Sequence, residues 1–179
     1  MDTFAARLVG AAKLDARTFE EVEADVTATP QALGAVVLSS LAGGIGALGT
    51  GGLGASGFIG GALVSLIGWA AWAALTYLIG TRLFPEPQTR ADVGELLRTT
   101  GFASAPGLLR LAGIVPGLYA PVYFATSVWS LAAMVVGVRH ALDYSTTTRA
   151  VVVCVVGWLL SFAIALLLGA YFGVVVQSS

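Results

Sequence analysis

The one histidine of the chain, His140, sits in Arg139-His140-Ala141-Leu142-Asp143, three residues before an acid. On a helix that spacing puts imidazole and carboxylate on one face, where a proton could pass between them. A proton relay belongs at membrane depth with partners beside it, whereas these residues follow the end of an apolar run. Arg and His at such a boundary also anchor a helix end and complement its dipole, and the anchor is the preferred reading of Arg139, His140 and Asp143. Arg110 is a second candidate, a lone cation inside an apolar segment. A charge at the bilayer centre costs ~2.5 kcal/mol or more. Near a membrane face Arg110 either snorkels to water or meets a lipid headgroup or a partner carboxylate. Gly49-Thr50-Gly51-Gly52-Leu53-Gly54 has the letters of GxGxxG. The dinucleotide fingerprint also needs an acid ~20 residues on, and none lies between Gln31 and Thr81. Ten of the 19 residues from Gly43 to Gly61 are glycine, so the stretch reads as a turn between helices. The lone Cys154 excludes an internal disulfide and any CxxC metal site. One histidine and no intramembrane acid leave no Ser-His-Asp or Cys-His set. The expectation is no catalytic residue, no cofactor and no metal.

The elements that must position these residues follow from where charge is missing. Of 179 residues, 57% are hydrophobic and 11% charged, against about 25% charged in a soluble domain, and mean hydropathy is +0.88. So few charges cannot cover a soluble surface. The composition excludes disorder and a disulfide scaffold, and a net charge of −1 without a basic block excludes nucleic acid as a partner. Gln31–Thr81, Ile114–Val138 and Ala150–Ser179 contain no Asp, Glu, Lys or Arg. About 20 helical residues cross the hydrocarbon core, so the first run holds two spans and a turn, and the others one span each. None shows the polar face of a soluble helix or the alternation of a barrel strand. The spans are predicted near Gln31–Leu48, Phe58–Gly80, Gly117–Val138 and Val151–Val174.

Leu96 to Gly113 is apolar but contains Pro106 and Arg110. If it crosses, Arg7, Lys13, Arg17, Arg82, Arg90, Arg98, Arg139 and Arg149 share one side and only Arg110 falls toward the other; if not, the split weakens from 8:1 to 7:2. The positive-inside rule favours five crossings with the N-terminus in the cytoplasm. Pro106 cannot donate a backbone hydrogen bond, so this span is predicted to kink there and to pack inside the bundle, with Ser104 serving a freed carbonyl. Residues 1–29 carry three cations and six acids. Phe4, Leu8, Ala12, Phe19, Val22 and Val26 recur at helical spacing, which predicts short amphipathic helices packed on the protein's own inner face or on a partner. The pairs Gly57/Gly61, Gly113/Gly117 and Gly169/Gly173 have small-xxx-small spacing suited to close helix packing. Trp69, Trp72, Trp129 and Trp158 read as helix-packing groups.

Three stretches together resemble the Yip (Ypt-interacting protein) family of small polytopic membrane proteins. They are Leu14 to Asp25, Gly101-Phe102-Ala103-Ser104-Ala105-Pro106, and Trp129 followed by Val138 to Ala150. The resemblance runs over most of the chain in order, and its N-terminal part is closer to prokaryotic members. It implies five spans, a cytosolic N-terminus, a prokaryotic cell membrane and no catalytic residue set. Eukaryotic members bind Rab-type GTPases and carry a long hydrophilic N-terminal region that this sequence lacks.

The expected fold is an all-α integral membrane bundle of five helices (30–179) preceded by a short amphipathic segment (1–29). The expected function is a non-enzymatic scaffold or adaptor, the alternative an accessory subunit of a larger membrane complex. A solute transporter or channel is disfavoured, because few polar groups lie within the spans. Expected partners are membrane lipids, other integral membrane proteins and a second copy of the chain. Candidate interaction residues are Pro106, Arg110, Arg139, His140 and Asp143.

Overall fold

A computed structural model describes residues 3–48 and 55–178, and among them all regular structure is helical. Helix α1 (Phe4–Ala12) starts at Thr3, whose side chain accepts from the Ala6 N–H. It stops in a turn where Leu14 takes φ 61°. Asp15 caps α2 (Ala16–Ala24), and a single 3-10 turn at Val26–Ala28 leads into α3 (Thr29–Ala47). Pro30 lies in the first turn of α3, where its missing N–H costs nothing. Helix α4 (Ala55–Leu78) runs into a π-helical turn at Ile79–Leu83. Asp92 and Glu95 form a reciprocal capping box that starts α5 (Val93–Phe102). A 3-10 helix (Ala105–Ile114), α6 (Tyr119–Ala141) and α7 (Thr147–Ser178) complete the chain.

Among the described residues four helices are long and apolar enough to cross a membrane, over Val26–Ala47, Ala62–Leu83, Tyr119–Ala141 and Thr147–Ile164. The expected fifth helix over Leu96–Gly113 is instead two pieces, α5 and the 3-10 helix, parted at Ala103–Ser104. Pro106 explains the break, because its ring clashes with the carbonyl one turn back and it has no N–H to give. Hydroxyls cover the carbonyls at the break. Ser104 Oγ donates to Gly101 O (2.7 Å), and Ser39 Oγ donates to Ser104 O (2.7 Å). Pro106 is fully buried. The pieces run the length of the bundle: Arg98 touches α2 at one end, and Gly113 meets Gly46 and Tyr119 at the other. At 1.5 Å and 2.0 Å per residue they extend ~35 Å.

The close approach of α3 to the broken element demands glycine. A Cβ at Gly46 would overlap the carbonyl oxygen of Arg110, and one at Gly101 would lie 2.7 Å from Ala32 Cβ. Gly113 is packed in the same seam, but Gly117 has φ 83° and nothing within 4 Å. It is a turn residue, which corrects the expected Gly113/Gly117 packing pair. The surroundings of Gly57, Gly61, Gly169 and Gly173, and the Gly49–Gly54 stretch, lie outside the described residues. Helices α1 and α2 pack on the bundle itself, with Phe19 and Val22 joining Ala32, Phe102 and Ala133 in one buried cluster. This end is called the capped end below, and the other the far end. A second cluster joins Ile79, Leu96, Val138, Leu142 and Val153. Large apolar side chains such as Val64, Ile67, Phe124, Leu159 and Phe162 are exposed around the outside, as a bilayer solvent requires.

Candidate functional site

At the capped end two buried arginines seat the N-terminal helices. Arg7 is 5% exposed. Its guanidinium donates to Glu21 Oε1 (2.7 and 3.0 Å), Asp25 Oδ2 (2.6 Å) and Gln31 Oε1 (2.9 Å), joining α1, α2 and α3. The hydrogen bond from the Thr27 hydroxyl, then that from Arg7, draws Asp25 down to about 2. Arg98, also 5% exposed, donates through Nε to Val22 O and Glu23 O (3.0 Å each), and its Nη2 also reaches Glu23 O. These are last-turn carbonyls of α2 without helical partners, so α5 supplies the cap that α2 lacks. The Trp129 indole N–H does the same for α1 at Ala12 O (2.7 Å).

Beside this joint lies a polar hollow of about 290 Å³, lined by Glu20, Glu23, Arg139, His140, Asp143 and Tyr144. The three candidates Arg139, His140 and Asp143 therefore meet acids of α2. His140 Nδ1 is 3.5 Å from Glu20 Oε1, an ion pair when the imidazole is protonated. Burial first, and then the carboxylates of Glu95 and Asp143, push Glu23 up to about 7. Burial likewise raises Glu95. Arg139 turns onto the chain that follows it, reaching Thr147 Oγ1 (3.2 Å) and the carbonyls of Tyr144 and Ser145 (3.4 Å each).

Asp143 has φ 52°, and its N–H bonds His140 O while that of Tyr144 bonds Arg139 O (2.8 and 2.9 Å). This is the Schellman stop of α6 with aspartate in the left-handed position usually taken by glycine. Beyond it, Glu86 fastens the loop after α4 to the turn before α7. Its carboxylate accepts from the Ser145 N–H and Oγ (3.1 Å each), from Arg149 Nε (3.0 Å) and from Gln88 Nε2. The Ser145 N–H leads the effects that hold Glu86 below the ordinary carboxylate value. Tyr144 donates its hydroxyl to Phe84 O (2.9 Å), with Gly80 O of the π turn at 3.2 Å, and burial pushes its phenol to about 12, keeping it a donor.

Arg110 stands apart, toward the far end. Its Nε donates to Thr126 Oγ1 (3.2 Å) and its Nη2 to Ser127 Oγ (3.3 Å), and the cation lies 4.7 Å from the centre of the Tyr123 ring. It faces a chamber of about 290 Å³ among α3, α4, the 3-10 helix and α6. Pro106 shapes that region through the helix break and presents no polar group of its own. Trp69 donates to Leu97 O and Thr100 Oγ1 (3.2 and 3.1 Å), whereas Trp158 is 58% exposed and is not the packing group expected.

The residues that hold the capped end together, Arg7, Arg98, Glu86 and Tyr144, were not among the sequence candidates. Apart from Gln88 beside Glu86, their partners lie 14 to 76 residues away, and several are backbone carbonyls that leave no mark in residue type. The one signal was the placement of Arg98 at the start of the apolar Leu96–Gly113 segment. Metal-binding groups of three or more His, Cys, Asp or Glu do not occur among the described residues.

The model of the Yip1 domain matches residues 15–171, all but the ends of the chain. The chain belongs to the Yip1 domain family. Comparison with curated proteins and with solved structures returns no match. With its four apolar helices, this Yip1 domain protein is a multi-pass membrane protein. The matched residues hold α2, the polar hollow, the helix break and Arg110, while α1 and Arg7 precede them.

Proposed function

We propose that this protein is a non-enzymatic scaffold or adaptor for other membrane proteins or lipids, its capped end facing the cytoplasm of a prokaryotic cell. We also read the broken element as a fifth crossing. Eight of nine cations then share one side, and the pieces are long enough to cross. The observation that carries the scaffold reading is the double arginine joint. Arg7 and Arg98 are buried and seat α1 and α2 on the bundle, so the capped end is a preformed platform. Asp15, Arg17 and Glu20 remain exposed on α2 as its outer face. The accessory-subunit reading draws on an open apolar groove of about 250 Å³ between α6 and α7, lined by Leu131, Met134, Val151, Cys154, Val155 and Trp158 among others.

Photo-crosslinking in native membranes tests the scaffold reading. A photoreactive residue at Arg17 or Glu20 is expected to give discrete protein adducts that one at the lipid-facing Phe124 does not. Arg7→Ala, which unseats the platform, should abolish them at normal membrane abundance. Identical adduct patterns from α2 and Phe124 would overturn the scaffold reading. A non-enzymatic role further expects His140→Ala and Asp143→Asn to leave the crosslinks and the cellular phenotype intact.

A further inference from the structure

The chamber beside Arg110 has features that a merely structural arginine does not need. Two of the five guanidinium N–H groups are engaged, by Thr126 and Ser127. The remaining three have no acceptor among the described residues, and no carboxylate there pairs with the cation. Hydroxyls of Ser39, Ser40, Ser65, Ser104 and Ser130 line the same chamber. The Ser130 hydroxyl is buried and has no hydrogen-bond partner among the described residues. Buried polar groups are nearly always paired, so an unpaired hydroxyl and a cation without a carboxylate in one cavity point to something that accepts from both. At about 290 Å³ the chamber far exceeds the ~30 Å³ of one water and approaches the lower range of small-ligand sites. A single halide or a single water would leave most of it empty.

We propose that this chamber is a binding site for a phosphate group, held by the forked N–H groups of Arg110 and the hydroxyl of Ser130. A guanidinium fork matches a tetrahedral oxyanion, and charge-assisted hydrogen bonds are the stronger kind. The serine-rich wall supplies further hydroxyls. Ser39, Ser40 and Ser104 now donate to backbone carbonyls (2.7, 2.8 and 2.7 Å), which leaves their oxygens as acceptors. These suit hydroxyl groups attached to the phosphate, such as those of a glycerol headgroup. Gly43, about one turn from the end of α3, lies beside the arginine, with its Cβ position 3.5 Å from Arg110 Cδ. The chamber thus sits within reach of the far membrane face, where either a lipid headgroup or a free phosphate can arrive. The inference goes beyond the scaffold reading and stands or falls without it.

The test uses the full chain in a neutral maltoside detergent and in phosphatidylcholine nanodiscs. Thermal stability is titrated with sodium phosphate against sodium chloride at equal ionic strength. Phosphatidic acid retention is read by native mass spectrometry. The wild-type protein is expected to be stabilised by phosphate or to retain one phosphatidic acid. Arg110→Gln should weaken that binding by about tenfold or more, as expected for lost bonds to a charged group. Ser130→Ala guards against misfolding, because a hydroxyl without a protein partner can be removed without breaking an internal bond. It should keep the unliganded melting temperature and still lose several-fold in affinity. Phosphate that displaces the retained lipid assigns the site to the free anion, and retention unmoved by excess phosphate assigns it to the lipid headgroup. Wild-type affinity in both variants, or a folded wild-type protein that binds neither probe, would overturn the proposal.

Discussion

Asp143 shows how a residue type can mislead about its role. Beside a histidine it suggests proton transfer; in the structure its positive φ makes it the stop of α6. Asp143→Gly is therefore expected to keep or raise stability, since glycine adopts the left-handed region freely. Asp143→Val should lose about 1–2 kcal/mol, the cost of forcing a side chain with a crowded Cβ into that region. Detergent-based denaturation of the two variants reads the difference, and equal loss in both would favour a role for the carboxylate. Glu23 gives a second prediction at this scale. The folded protein holds its proton up to about pH 7, while the unfolded chain releases it near its ordinary value of 4.5. The folded state binds more protons across that window, so stability falls as pH rises from 4.5 to 7 and levels off above. Glu20, Glu95 and Asp143 oppose the charge and Arg98 favours it. Glu23→Gln should match the wild type at pH 4.5 and exceed it at pH 8. The gain is on the order of 1 kcal/mol once solvent screening of a half-exposed carboxylate is allowed for. A flat difference between the two pH values would exclude Glu23 as its source.

Among the elements, the broken pair of α5 and the 3-10 helix carries the most specific packing. A Cβ at Gly107 would lie 3.2 Å from Ser39 Cβ, while one at Gly68 on α4 would meet nothing within 4 Å. Gly107→Leu is expected to cost ~1–3 kcal/mol by overpacking; Gly68→Leu should be neutral or slightly stabilising. Melting temperatures in one detergent compare the two directly, and equal tolerance would place Gly107 outside the seam. Much of this layer was legible in the residues. Lipid admits only chain that satisfies its own backbone, so Gln31–Thr81, Ile114–Val138 and Ala150–Ser179 announce their helices, and Pro106 announces a break. What stayed hidden was the hardware between elements. Arg98 serves α2 through main-chain oxygens, and Glu86 is met in part by a backbone N–H of Ser145; main-chain groups of this kind are not visible as a residue type. The ten-residue 3-10 helix was also illegible, since apolar periodicity does not separate it from a kinked α-helix, and such runs rarely exceed four residues.

For the whole molecule, the decisive question is whether the broken element crosses the bilayer. With Cys154→Ala as background, Val115→Cys lies just after the 3-10 helix and Pro87→Cys in the loop before α5. Both sites are exposed. An impermeant thiol reagent added outside intact cells is expected to label Val115→Cys and spare Pro87→Cys. Labelling both or neither would leave the element on one side and reduce the crossings to four. The arginine cap on α2 also bears on biogenesis. When α2 leaves the ribosome its last carbonyls have only water as a donor, because Arg98, 75 residues beyond Glu23, has not yet been made. Insertion of α3 and α4 does not supply one. The N-terminal helices can seat only after α5 has arrived, so a docked α2 marks a chain whose first half has waited for its second.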